Sequence, residues 1–471
     1  MMNLKNKTLA IIGVSVLLAA SACESYLDVN ENPNNPTDAP ITGLMTNSTY
    51  ETSLNVYRQG SAVSNYVQYL ASPNPGSGSD TMEPLNFSTL WFNLYNVMTD
   101  LYTMNEKAEA AEASHYLGAG QVLMALNLGM AVDFFGDVPF SESFNFSTVT
   151  PAYDDDQVLY GQVLSLLDQG IANLQTPTSI SIGDDDFIYG GDIDLWLKFA
   201  HTLKARFMIH MKGDQGYSAS EVLSAIEKGF TSNDDDAQIF FFEQRFNPWA
   251  NVAIDNANLL LGGWISEQFI EALDGTSYPI SDPRLPLMIG TTDDGEYIGT
   301  VNGAGRGNAP EQGARSTLVE GQFYTSRQSP VLIATYSELK FIEAEAAFDS
   351  DKSRAYEAYL AGIEAHMDML EVETADKEAY LSHPSVSMGV AAFTMDDIFK
   401  EKYVALFLHP ETWNDARRFD YGYKDFTPPA NMNPNLGGEY IRRMAYPDSE
   451  ISRNGANVPS VTLLDRIWWN Q

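Results

Sequence analysis

Apolar residues recur at steps of three and four in several long stretches, the spacing of one face of an α-helix. Over 153–174 they are Tyr160, Val163, Leu167, Ile171 and Leu174. Over 353–370 they are Tyr356, Leu360, Ile363, Met367 and Leu370. Segments 89–113, 115–135, 194–211 and 393–408 are long and rich in helix formers. Ser218 with Glu221 forms a capping box before Val222, and Thr394 with Asp397 resembles one before Ile398. The helices come in pairs: 194–211 with 218–229, and 335–349 with 353–370. Both first helices carry Leu-Lys-Phe, at 197–199 and 339–341, with Ala205 and Ala347 eight residues beyond the leucine, where a partner helix can approach closely. The pattern predicts a mainly α chain of stacked helical hairpins of the solenoid kind.

The stretches between them, 74–88, 176–193, 231–263, 274–330 and 422–462, are rich in Gly, Pro, Asn and Asp. They read as long irregular loops. A few short strands are expected there, with Gln238 to Glu243 one candidate. No linker divides residues 41–471, which read as one domain.

The N-terminus has a different pattern. Lys5 and Lys7 precede an apolar run from Leu9 to Ala20, and Ala20, Ser21 and Ala22 lead into Cys23, the chain's only cysteine. This is the layout of a secretory signal over 1–22, and 12 apolar residues fall short of the roughly 20 of a membrane span. No later segment reads as a span, so an exported, soluble body is expected. Cys23 then reads as the first mature residue and a lipidation site, as in bacterial lipoproteins, although Ala20 stands where a lipobox usually has Leu. Residues 23–40, polar and proline-rich, read as a tether. Acyl chains on Cys23 would tie the domain to a membrane at about 0.8 kcal/mol per buried methylene.

The whole chain has 27 basic and 63 acidic residues. Removing residues 1–22, with two lysines and no acids, takes the formal charge from −36 to −38. Such a chain lacks the basic face that nucleic acid requires and is repelled by anionic lipid.

Catalytic and metal signatures are sparse. The six histidines show no H-E-x-x-H spacing, and no G-x-S-x-G elbow is present. With 63 acids, carboxylate pairs for glycoside hydrolysis cannot be singled out by position. Asp154, Asp155 and Asp156 precede a helix whose dipole they complement. Asp184 to Asp186, with Asp192 and Asp194, form a loop that could take a cation, but they lack the alternation of an EF-hand. No metal or cofactor is assigned.

Ligand-binding surfaces commonly combine flat aromatic rings with a few fixed polar groups. Trp196, Trp413, Trp468 and Trp469 read as packing residues. The loop-side aromatics Trp91, Tyr95, Trp249 and Trp264 are the ligand-binding candidates.

Six motifs in order resemble the SusD/RagB family. They are FFGDVPFSES (134–143), DLWLKFAHTLKARFMIHM (194–211), YSELKFIEAEAAF (336–348), ETWNDARRFDY (411–421), RRMAYPDSE (442–450) and RIWWN (466–470). The start CESYLDVNENPNNPT fits as well, so the resemblance spans the mature chain. It implies a mostly α-helical domain of tetratricopeptide-like helix pairs with long loops, in an outer-membrane lipoprotein of Bacteroidota that faces the cell exterior as a lid over a SusC-like TonB-dependent transporter. It further implies capture of oligosaccharide, or in some members peptide, without catalysis. An anchored glycoside hydrolase is the alternative from another class.

Overall fold

The computed structural model describes residues 39–145, 147–258, 262–307 and 312–470. The signal segment 1–22, Cys23 and nearly all of the tether 23–40 lie outside these residues.

The first half is a run of helices, each packed on the next: α1 (Ile41–Val63), α2 (Ser88–Ala110), α3 (Ser114–Phe135), α4 (Asp156–Leu174), α5 (Ile193–His210) and α6 (Ala219–Ile226). α3 is buried on nearly every side. It is long and apolar enough to cross a membrane, contrary to the expectation from sequence, but 89% of its apolar window is buried inside the fold. It is therefore a core helix. Glycines set how closely its neighbours approach. A Cβ on Gly129 would stand 2.2 Å from the Phe207 ring of α5, and one on Gly118 would stand 2.8 Å from the Gly170 carbonyl of α4.

α1 is a helix that periodicity does not reveal. Its buried face includes Ser48, Thr49, Thr52, Ser53, Asn55 and Gln59. These residues join it to α3 by hydrogen bonds: Asn55 donates to Asn127 (3.0 Å), Asn127 to Thr52 (2.9 Å), and Gln59 to the Met130 carbonyl (3.0 Å). Buried polar groups are tolerated when paired in this way.

The second half closes over the first. Strand β1 (Leu70–Ala71) pairs antiparallel with β3 (Trp264–Ile265), and β2 (Ala237–Phe240) with β4 (Pro330–Ala334), in register Ala237 to Ala334 and Phe240 to Pro330. The expected strand at 238–243 thus ends at Phe240, where a tight Phe242–Arg245 bridge turns the chain. The helix α10 (Tyr336–Ala347) packs on α11 (Lys352–Met369), on α6 and on α13 (Met395–Ala405). Between the strands lie α7 (Pro248–Ala257), α8 (Glu267–Glu271) and α9 (Leu285–Met288). α12 (Thr374–Ser382), α14 (Glu411–Arg418) and α15 (Asp448–Asn454) complete the order. α7, α9 and α15 lie within stretches that sequence alone reads as irregular.

Both predicted helix starts form. Ser218 Oγ accepts from the Glu221 amide (3.3 Å), and Thr394 with Asp397 closes a reciprocal capping box. Buried residues from Leu44 to Trp469 make one continuous core, threaded by ion pairs. Arg206 of α5 pairs with Glu338 of α10 (2.5 Å). Arg284 bonds to Asp282 (2.6 Å), Glu401 and His366.

Candidate ligand-binding cleft

A cleft of about 590 Å³ opens along the first turns of α2. One wall is α2 itself, through Ser88, Trp91, Phe92, Tyr95 and Thr99. The loop 139–151 and α15 supply the others, the latter through Ser449, Glu450, Arg453 and Asn454.

The floor follows from the α2 pattern. Leu90, Trp91, Leu94, Val97, Met98 and Leu101 form its buried stripe, because side chains three and four apart share a face. Trp91 therefore points inward and is only 5% exposed. It lies nearly parallel to Tyr95 (30° at 4.9 Å) and Tyr153 (27° at 6.3 Å), and meets Phe135 edge-on (81° at 5.0 Å). Phe92, one residue on, falls off that stripe and is 60% exposed. It is the free ring of the cleft.

The loop over α2 is pinned by polar and aromatic contacts. Asp154 accepts from the amides of Phe140 (2.8 Å) and Ser141 (2.9 Å) and from the Ser141 hydroxyl (2.7 Å). Phe144 stacks on Tyr95 and Tyr102. Tyr95 donates to the Pro139 carbonyl (2.6 Å). On the other wall, Tyr153 donates to Glu450 (3.1 Å), and Asn454 to the Pro151 carbonyl (2.8 Å). Asn86 donates to Asp448 (3.0 Å), fixing the start of α15 against the start of α2.

Burial holds the phenols of Tyr95 and Tyr153 above their usual range; Tyr153 itself and Glu450 respectively add to the two shifts. Both phenols stay protonated donors at neutral pH. Arg453 is exposed and has no ion-pair partner among the described residues. Glu450 is the one carboxylate among the described residues that line the cleft. Rings, hydroxyls, an amide and single charges of each sign suit a hydroxyl-rich ligand laid on an apolar surface.

The structure separates the four sequence candidates. Trp91 and Tyr95 meet at this cleft, with Trp91 as its support, not its surface. Trp249 and Trp264 do not join them. Trp249 opens α7, where its amide is capped by Asn247 (2.7 Å), and it packs edge-on against Tyr57 (80° at 4.9 Å) beside a void of about 30 Å³. That void has room for roughly one water. Trp264 sits in β3 with no exposed surface, so it has no face to offer a ligand and belongs to the core. Trp196 and Trp413 are fully buried as packing residues, the latter bonded to Tyr421 (2.8 Å) and covered by Arg417 (3.8 Å to the ring).

The acidic triplets are also resolved into roles. Asp155 caps α4. Asp186 accepts from the backbone of Ile188 (2.9 Å) and from Trp196 Nε1 (2.6 Å), which makes it a turn anchor. Asp137, Asp155 and Asp156 bring carboxylate oxygens within 4.8 Å of one another. Asp156 is already bonded to the Trp468 amide (2.9 Å), and Asp137 to the Asp156 amide (3.0 Å).

Phe92 and the α15 wall were not anticipated from sequence. Phe92 carried a signal, as an aromatic off the buried stripe of a strongly periodic helix. A second hollow, of about 410 Å³, lies by Tyr50, Phe241, Arg245 and Phe246, where Arg327 covers the Phe246 ring at 4.6 Å.

Stacked helical hairpins that present an open aromatic and polar cleft define the class of this protein. A family model described as SusD-like, starch-binding and associating with the outer membrane matches residues 33–447, and the chain belongs to that family. Among solved structures, a SusD/RagB family protein from Bacteroides thetaiotaomicron is 23% identical, with a TM-score of 0.74 over 92% of this chain and 99% of that one. A SusD homologue from Bacteroides fragilis is 20% identical, with a TM-score of 0.76 over 92% and 100%. A chitin-binding SusD homologue from Flavobacterium johnsoniae is 20% identical, with a TM-score of 0.75 over 91% and 98%. These likenesses establish the mainly helical fold. Among curated proteins, none matches this chain.

Proposed function

We propose that this protein is a lipoprotein on the outer face of the outer membrane that captures an oligosaccharide and delivers it to a SusC-like TonB-dependent transporter. The observation that carries the reading is the α2 cleft, where an exposed Phe92 ring stands near the Tyr95 phenol, the hydroxyls of Ser88, Thr89, Thr99, Ser143 and Ser449, and the Asn454 amide. Membership of the starch-binding SusD-like family supports a carbohydrate ligand. So does the fold shared with a protein described as chitin-binding. The leader ending at Cys23 supports lipid anchoring. Binding without turnover fits a cleft with one carboxylate among its described lining residues, since glycoside hydrolysis ordinarily works with two.

The test is a glycan and peptide array probed with the mature domain, together with its Phe92→Ala variant. Binding to a glycan class that the variant loses supports the reading. Binding to peptides alone, or sustained product release from a polysaccharide, would overturn it. Mass spectrometry of the protein from outer membranes should find acyl chains on Cys23, and purification should bring down a barrel protein. An unlipidated monomer with no such companion would contradict the transport role.

A further inference from the structure

A groove of about 380 Å³ runs between α1 and α2, next to the cleft. Asn47, Glu51 and Arg58 line it from α1, and Asn93, Asn96 and Asp100 from α2. Thr99 lines both groove and cleft, so the two spaces meet along one helix. Phe92, at the cleft, and Asn96, at the groove, are four residues apart, hence neighbours on the α2 surface. From Ser88 to Asp100, α2 presents about 18 Å of continuous lining at 1.5 Å per residue.

The groove differs from the cleft in chemistry. It holds no aromatic ring; its polar side-chain groups are three amides, a hydroxyl, a guanidinium and two carboxylates. Some of these are committed to each other: Asn47 donates to Asp100 (2.8 Å), and Arg58 pairs with Glu51 (3.0 Å) while also bonding Asn55 (2.8 Å). These bonds fix the groove walls. The side-chain amides of Asn93 and Asn96 have no hydrogen-bond partner among the described residues. Each offers two donors and an acceptor to a ligand. The charges include no net positive set, on a chain that is strongly acidic overall, which disfavours an anionic ligand.

Resting on the carbohydrate reading above, the geometry points to the α1–α2 groove as a second subsite for the same ligand. That ligand is an uncharged, linear glycan long enough to lie on Phe92 and reach Asn93 and Asn96. A short oligomer occupies the cleft alone. A longer one engages both spaces, and its second contact is intramolecular, so affinity climbs with length once the groove is reached.

The experiment measures affinities of the mature protein for chito-oligosaccharides and malto-oligosaccharides, from disaccharide to octasaccharide. The proteins compared are wild type, Phe92→Ala and the double variant Asn93→Ala with Asn96→Ala. Both asparagines lie at the helix surface, and a melting curve confirms that the variant is folded. The double variant should weaken the longest ligand of the binding series about tenfold, as expected for the loss of two ordinary hydrogen bonds, and leave the shortest bound ligand unchanged. Phe92→Ala should weaken every length. Length-independent binding that needs Phe92 but not the asparagines would overturn the groove subsite and leave the proposed function standing. Failure of both series at every length would overturn the carbohydrate reading and the subsite together.

Discussion

Replacing Phe92 and Trp91 in turn separates a ligand platform from its support. A buried aromatic covers about 150–250 Å², and Phe lies toward the low end. At 60% exposure, Phe92 keeps roughly 100 Å² in water, of which a flat sugar on one face covers about half. At about 25 cal/mol per Å², that contact contributes about 1.3 kcal/mol, a tenfold change in Kd. Phe92→Ala should therefore bind about tenfold more weakly. Its stability should shift by no more than about 0.5 kcal/mol, as is usual for a surface site. Trp91 is 5% exposed and packed by Tyr95, Phe135, Tyr153 and Tyr446. Trp91→Ala should cost about 3–5 kcal/mol of stability through the cavity it leaves. The assay pairs isothermal titration of a bound oligosaccharide with denaturant unfolding of each variant. A Phe92→Ala protein that binds normally, beside a Trp91→Ala protein that keeps its stability but loses affinity, would refute this division of roles.

Three further outcomes follow from the core. Arg284→Met should destabilise by about 3–5 kcal/mol, because Asp282 and Glu401 remain buried with the guanidinium gone; a loss under about 1 kcal/mol in urea unfolding would contradict that account. Burial, with Arg206 nearby, holds His409 at a pKa of about 4 in the fold, and the His366 imidazole is depressed for the same first reason, with Arg284 beside it. The unfolded chain then binds more protons than the fold between about pH 6.5 and pH 4, so stability should fall as pH drops through that window, by about 3 kcal/mol for His409 alone. A flat urea midpoint from neutrality to about pH 5 would contradict it. Gly129→Ala should cost about 1–3 kcal/mol despite the better helix propensity of Ala, because the new methyl meets the Phe207 ring; unchanged thermal unfolding would show that α3 and α5 can separate at no cost.

Much of the scaffold was legible because long helices repeat their apolar residues. α4 and α11 were readable from periodicity, α2, α3, α5 and α13 from length and helix-forming residues, α10 from its pairing with α11, and α6 and α13 also from their caps. α1 was not legible, since the face it buries is made of Ser, Thr, Asn and Gln, which a hydropathy pattern counts as solvent-facing. α15 escaped because its seven residues give barely two turns of pattern inside a Pro- and Gly-rich stretch, and it forms a wall of the cleft. The cleft itself was half legible. Aromatic type and loop proximity led to Trp91 and Tyr95, but which ring faces outward depends on helix phase, and Phe92 holds the outward phase. Trp249 and Trp264 have the same residue type and similar polar surroundings in sequence; strand pairing and the Tyr57 contact bury them, and neither is visible before the chain is folded.

The central claim is that ligand lies on α2 between the 139–151 loop and α15. Hydrogen exchange of the mature protein, with and without a saturating oligosaccharide chosen from the array, tests it directly. Slowed exchange should appear in peptides covering 88–99, 139–154 and 448–454. Protection confined to peptides around Tyr50, Phe241 and Arg245, with none along α2, would contradict the account.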